Sequence, residues 1–312
     1  MGSGRWSSDV YDAAARYRAA SGQDAFAYND HIRASAPRRT WRAHPSLDPH
    51  GLTLRESRDS AEHPTSLAIG VLFDVTGSMG GVPRVLQTKL PDLFGLLLSK
   101  GYAAHPQILF GAVGDATCDR VPLQLGQFES DNRMDDDLGN ILLEGGGGGQ
   151  MTESYELALY AMARHTALDC HEKRGRRGYL FLIGDEMPYG KVKAREIRAV
   201  LGEPAERDIP VTEIIAELRR TFHVFYILPA GASYAGNPEV LGVWRRLLGQ
   251  NVIELDDLDA VCETIALTVG LGEEAIDLAS GLADLADIGS DAGASVARAL
   301  RPVADDRAHR RR

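Results

Sequence analysis

Residues 66–79 read SLAIGVLFDVTGSM, and this stretch decides the fold. Its first eight residues (66–73) form an almost unbroken apolar run, the signature of a strand buried on both faces of a parallel sheet. The run ends in Asp74. From there Asp74-Val75-Thr76-Gly77-Ser78 sets one carboxylate and two hydroxyls on a single loop, spaced so that the loop can wrap one ion. Gly77 and Gly80-Gly81 let that loop bend tightly, and Pro83 opens the following helix. A second apolar run, GYLFLI at 178–183, ends in Gly184-Asp185. In open α/β sheets function gathers at the carboxyl ends of the strands, so both aspartates are expected on one rim. Two carboxylates converging there repel each other unless a cation sits between them.

Outward from these two strands the pattern keeps alternating. Residues 83–100 predict a helix with Val85, Leu86, Leu90, Leu93, Leu96 and Leu97 on its apolar face. Residues 106–113 predict a second strand, and 121–128 an edge strand because of its proline. A helix over 134–143 precedes five consecutive glycines (145–149), and 153–168 reads as an Ala-rich helix. Helices are predicted over 192–201 and 211–220, a strand over 222–228, a helix over 239–248, a strand over 251–255 and a helix over 259–269. Strands alternating with helices predict an α/β fold: an open, mostly parallel twisted sheet with helices on both faces and right-handed connections. Ahead of it, 9–20 reads as a helix with Ser8 available as a cap. The prolines and arginines that follow suggest an extended arm rather than a second core. Residues 272–300 read as helical, and 307–312 (RAHRRR) as a basic tail. The chain therefore divides into 1–64 (helix and arm), 65–270 (the α/β domain) and 271–312 (helical extension and tail).

Composition narrows the function classes. The chain has 312 residues, 44% of them hydrophobic, and a net charge of −10. Such an acidic chain is poorly suited to holding nucleic acid along its surface. Its three cysteines, Cys118, Cys170 and Cys262, are far apart and form no C-x-x-C pair, which argues against a zinc knuckle or a thioredoxin-type motif. Reduced thiols in a cytoplasmic protein are the expectation. No stretch reaches the ~18 apolar residues of a membrane span. The opening MGSGRW has no apolar secretory core, and Trp6 stands where a myristoylation motif wants Ser or Thr. A soluble, intracellular protein is expected.

The DVTGSM segment resembles the metal-ion-dependent adhesion site (MIDAS) loop of the von Willebrand factor A (VWA) family, with Thr76 in place of the commoner serine. The resemblance covers roughly 66–270 and implies that family's Rossmann-like fold. It implies that Thr76 and Ser78 touch a metal directly while Asp74 acts largely through water. It also implies a third loop with a threonine just before a helix, matched by Thr152 in GQMTES (149–154) with Ser154 as the alternative, and a strand-end aspartate, matched by Asp185. Glu186 departs from the pattern, standing where many relatives have glycine. The donors Asp74, Thr76, Ser78, Thr152 and Asp185 are all hard oxygens, which suit magnesium, manganese or calcium and not zinc. The resemblance further implies a binding module without catalytic residues, in which an Asp or Glu of a partner protein completes the metal's coordination on an exposed rim. Intracellular bacterial members often work with AAA+ ATPases of the MoxR type or inside multiprotein complexes.

Plainer readings stand beside these. Asp74, Asp185 and Thr152 could serve as helix caps, and Asp115 could stabilise a turn or touch the metal's own ligands. The glycine run reads as a linker or as a rim loop that lets partners approach. Asp135-Asp136-Asp137 lacks the alternation of a calcium loop and reads as a charged helix start, and the terminal arginines as a solvated tail. A metal-dependent hydrolase is the main alternative class. Phosphatases of the haloacid dehalogenase kind need a second aspartate where Thr76 stands. The sequence holds no G-x-x-x-x-G-K-[ST] loop, no H-E-x-x-H and no G-x-S-x-G elbow. A scaffold whose metal is fully enclosed is the third reading.

Overall fold

The computed structural model describes residues 4–52, 54–79, 81–146 and 149–310, with the side chains of Ser78 and of 306–310 outside that description. Six strands form the central sheet: β1 (Leu67–Asp74), β2 (Pro106–Val113), β3 (Leu123–Leu125), β4 (Gly178–Ile183), β5 (Phe222–Pro229) and β6 (Val252–Leu255). Their order is β6-β5-β4-β1-β2-β3. All neighbours run parallel except the edge strand β3, which pairs antiparallel with β2. This is the α/β architecture expected from the apolar runs: β1, β2 and β4 are buried along their whole length.

Because side chains alternate along a strand, β1 feeds two cores. Ile69, Val71 and Phe73 pack on one face against the helices Val82–Thr88, Leu90–Phe94 and Val261–Gly272, with the C-terminal helices Leu278–Asp287 and Gly293–Arg310 stacked behind through Leu285, Val296 and Leu300. Ala68 and Leu72 pack on the other face against Tyr155–Arg164, Val211–Thr221 and Pro238–Leu248.

Several elements differ from their sequence reading. The helix predicted over 83–100 breaks at Lys89 into two pieces, followed by the π-turn Gly95–Ser99. Pro91 lacks an N–H and its ring clashes with the carbonyl four residues earlier. The helix before the glycine run is shorter than predicted, Arg133–Gly139. Helix Tyr155–Arg164 also stops short, because Thr166–Leu168 turns into a strand that pairs with Arg55–Ser57. Ser7, not Ser8, caps the first helix, Ser8–Ser21: its Oγ accepts from Val10 N at 3.3 Å. A further helix, Ala27–Ser35, lies in the stretch read as extended.

Residues ahead of β1 lie on the sheet domain. Tyr11 and Leu47 join the larger core, Trp6 stacks on Phe94 at 4.6 Å, and the Tyr11 hydroxyl donates to Gln87 O at 2.8 Å. Among the described residues no helix is long and apolar enough to cross a membrane.

Candidate metal centre

The chain leaves β1 toward β2 on one side, while β4 lies on the other side of β1. Such a switch point opens a crevice beyond the carboxyl ends of the strands. Phe73 pairs with Ile183 across it. Asp74 and Asp185 therefore leave adjacent strands at the same end of the sheet, and both are fully buried.

Asp74 is held on both oxygens. Its Oδ1 accepts from Thr76 N at 2.6 Å, and its Oδ2 from the Tyr155 hydroxyl at 3.0 Å. Burial pushes its carboxyl up to about 7, with the Asp185 charge adding to the rise and the bonds from Thr76 and Tyr155 opposing it. The Tyr155 phenol can reach Asp74 only because residue 184 is glycine. A Cβ there would collide with the hydroxyl and lie 2.7 Å from Cζ of the ring. Beneath the site Tyr155, Tyr226 and Trp244 form a buried aromatic group, the last two stacked at 4.1 Å. Tyr226 Oη (3.0 Å) and Trp244 Nε1 (2.8 Å) both donate to the Glu186 carbonyl and fix the 185–186 turn. Tyr234 N donates to Asp185 Oδ2 at 3.1 Å.

The third loop arrives by a different route. Thr152–Glu153 forms a two-residue strand parallel to Met187–Pro188, with Thr152 opposite Met187. Successive side chains on a strand point to opposite sides, and here they do different things. Thr152 is half-buried. Glu153 is fully buried, and the like charges that act on it are those of Asp74, Glu186 and Asp115. Neither carboxyl oxygen of Glu153, nor Oε2 of Glu186, receives a hydrogen bond from a donor. Burial first, then the neighbouring carboxylates, drives both acids well above the usual range.

Thr76 is buried beside Asp74, and Ser78 lies in the short turn Gly77–Met79, its side chain outside the described residues. Ser154 is occupied elsewhere: its Oγ accepts from Ala116 N at 2.9 Å and its N–H donates to Gly114 O at 3.3 Å. Asp115 is buried, with Oδ1 accepting from Thr117 N and Oδ2 from Gln150 Nε2 and the Tyr189 hydroxyl. Two further acids, Glu153 and Glu186, stand next in sequence to expected donors and were not among the donors that the sequence pointed to.

Around the rim expected from the sequence, Gly77, Gly149 and Gln150 are exposed while the acids lie beneath. Asp74, Thr76, Glu153, Asp185 and Glu186 are all buried. The start of the glycine run folds back on the 75–77 loop, with Gly145 N donating to Val75 O and Gly77 N to Gly146 O, each at 3.1 Å. The segment before it is gripped by the N-terminal arm. Arg33 donates to Glu144 O at 3.0 Å, and Arg38 reaches Glu144 Oε1 and Asp119 Oδ1, both at 2.9 Å. Gly147 and Gly148 lie outside the described residues.

Among the described residues three or more His, Cys, Asp or Glu side chains do not converge as a metal-holding group. Fully buried carboxyl oxygens without donors, in an all-oxygen neighbourhood, fit a hard divalent cation, which neutralises charge that burial otherwise penalises.

No protein-family model matches the chain, and no characterised protein sequence matches it. Solved structures give distant likenesses. The pilus adhesin SpaC from Lactobacillus rhamnosus GG in its open conformation aligns with a TM-score of 0.46 at 11% identity, over 70% of this chain and 31% of that one. Proximal thread matrix protein 1 from the mussel byssus aligns with a TM-score of 0.43 at 10% identity, over 66% of this chain and 47% of that one. A form of the same byssus protein with a zinc-occupied MIDAS motif aligns at 0.41 and 10%, over 70% and 48%. The chain spans less than half the length of each of these proteins.

Proposed function

We propose that this chain is a VWA-type binding module. In this reading it holds a divalent cation, magnesium or manganese, at the β1/β4 switch point and uses it to recognise an Asp or Glu of a partner protein. One observation carries the reading: both oxygens of the fully buried Glu153 lack a donor, while Asp74 and Glu186 press on it with like charge. A buried carboxylate in that state is costly unless a cation or a proton compensates it.

Asp74, Thr76, Ser78 and Asp185 would hold the ion, with Glu153 or Thr152 as the donor from the third loop. The ion would supply positive charge and a ligand position for a partner carboxylate. The chain's own residues do the rest. Thr76 N and Tyr155 orient the Asp74 carboxylate, Trp244 and Tyr226 hold the 185–186 turn, and the aromatic group keeps water from beneath. Gly77, Gly149 and Gln150 are exposed and offer a partner backbone a close approach. We read the module as non-catalytic, since Thr76 cannot act as the acid that a phosphatase would need at that position. A MoxR-type AAA+ ATPase or another multiprotein complex in the cytoplasm is the proposed setting. The burial of the donors favours one second reading, an enclosed ion that only stabilises the fold.

Calorimetric titration of the full chain with MnCl2 and MgCl2 tests the metal. Wild type is expected to bind in the millimolar range or tighter, and Asp74→Ala to lose binding. Equal binding by both would place the ion elsewhere. A pull-down with and without EDTA then separates the two readings: a partner released by EDTA and by Ser78→Ala supports recognition through the ion, and a complex indifferent to both leaves the enclosed ion.

A further inference from the structure

Tyr189 lies between the short strands Met187–Pro188 and Lys191–Val192. Its N–H donates to Glu156 Oε2 at 3.1 Å, and its half-buried ring lies beneath Lys193, whose Nζ is 4.8 Å from the ring centroid. Ring and backbone are therefore fixed independently of the hydroxyl. That hydroxyl is the meeting point of three loops: Asp115 Oδ2 lies 3.1 Å away, Gln150 Nε2 2.6 Å and Thr117 Oγ1 3.5 Å. A phenol has one proton to give. Tyr189 donates to the Asp115 carboxylate and accepts from the Gln150 amide. Gln150 closes the triangle through Asp115 Oδ2 at 2.9 Å.

We infer that Tyr189 is a positioning residue: its hydroxyl ties the 150–152 segment to the Asp115 loop and thereby sets where the next side chain, Glu153, stands among the carboxylates. This rests on the metal reading above. The 150–153 segment follows a run of glycines, which contributes little rigidity. Its backbone ties, Met187 N to Met151 O at 3.0 Å and Ser154 N to Gly114 O at 3.3 Å, hold the segment at 151 and 154. The hydroxyl contact adds a side-chain tie at Gln150, where the segment leaves the glycines. Partners one step removed from a metal ligand act in this way, and their loss typically weakens binding by roughly 10- to 100-fold.

The test is MnCl2 titration of full-length wild type, Tyr189→Phe, Asp115→Asn and the double variant, with melting in EDTA measured alongside. Tyr189→Phe is expected to weaken Mn2+ binding by roughly tenfold while melting in EDTA stays that of wild type, and the double variant is expected to be no weaker than the worse single one. Gln150→Ala removes the other end of the same contact from an exposed position and should weaken binding in the same direction even where Tyr189→Phe does not fold. Wild type that binds no Mn2+ overturns the metal reading and this inference with it. Wild type that binds, with Tyr189→Phe or Gln150→Ala binding equally well, overturns the inference alone, as does a Tyr189→Phe whose weaker binding is matched by a lower melting point in EDTA.

Discussion

The two halves of the candidate centre are built by different means. Asp74 and Asp185 sit at the ends of adjacent strands, and the pairing of Phe73 with Ile183 fixes their separation before any side chain takes part. Glu153 and Thr152 come from a segment that follows the glycine run, and that segment is held by a two-residue pairing with Met187–Pro188 and by side-chain contacts from Tyr189 and Ser154. A position set by sheet register is rigid and costs much to disturb. A position set by a few hydrogen bonds, each worth about 1 kcal/mol net, can be tuned or displaced. The strand half thus supplies the charge, and the loop half decides how well it is used.

The largest expected effect breaks the strand half by pH. In EDTA, the rise of Asp74 from 3.8 to about 7 means that the folded protein keeps a proton that the unfolded chain has lost. Stability is then highest at the acid end of that window and falls as pH rises through it, by on the order of 4 kcal/mol from this group. Denaturant melts of wild type minus Asp74→Asn across pH 4–8 isolate that contribution. A difference that stays flat with pH would mean that Asp74 ionises freely. Saturating metal should reverse the trend, since binding requires the carboxylate. Next comes Gly184→Ala, which drives a methyl into the Tyr155 phenol. Overpacking of this kind is expected to cost about 3 kcal/mol, read by urea unfolding, and Tyr155→Phe should recover part of it.

Smaller effects sharpen the loop half. Glu153→Gln is expected to weaken Mn2+ binding by more than about tenfold, and Thr152→Ala by less than about threefold, because the carboxylates act on Glu153 and Thr152 faces the other side of its strand. Calorimetry giving the opposite order would return the third-loop role to the hydroxyl. Smallest is Arg38→Ala. Arg38 is half-exposed, so its ion pairs with Asp119 and Glu144 should contribute below about 1 kcal/mol to stability. Any change in metal affinity should come through the glycine run that Glu144 precedes.

What the sequence made legible divides along the same line. The central strands announced themselves as apolar runs, and Asp74 and Asp185 could be placed on one rim from the runs alone, because a parallel sheet leaves little choice about where a strand ends. Register within the third loop could not be read, since glycines specify almost nothing about direction and only the pairing with Met187 shows that Thr152 and Glu153 face apart. The break at Lys89 was legible in principle, because Pro91 carried the signal inside an otherwise good helical pattern. The docking of the N-terminal segment was not, since it depends on single contacts such as Trp6 on Phe94 that no periodicity encodes.

That docking also bears on the order in which the molecule assembles. Tyr11 packs at Gln87, Trp6 on Phe94, and Ser7 N bonds to Asn132 Oδ1 at 3.0 Å. Chains are made from the amino end and domains fold largely as units. The first helix therefore emerges well before the surfaces that receive it, and the larger core is completed only when the helices after β6 arrive. Contacts so distant along the chain slow folding, because loop entropy is lost before they form. Helix Ser8–Ser21 therefore waits with Tyr11 uncovered until the surfaces around Gln87 and Phe94 have formed.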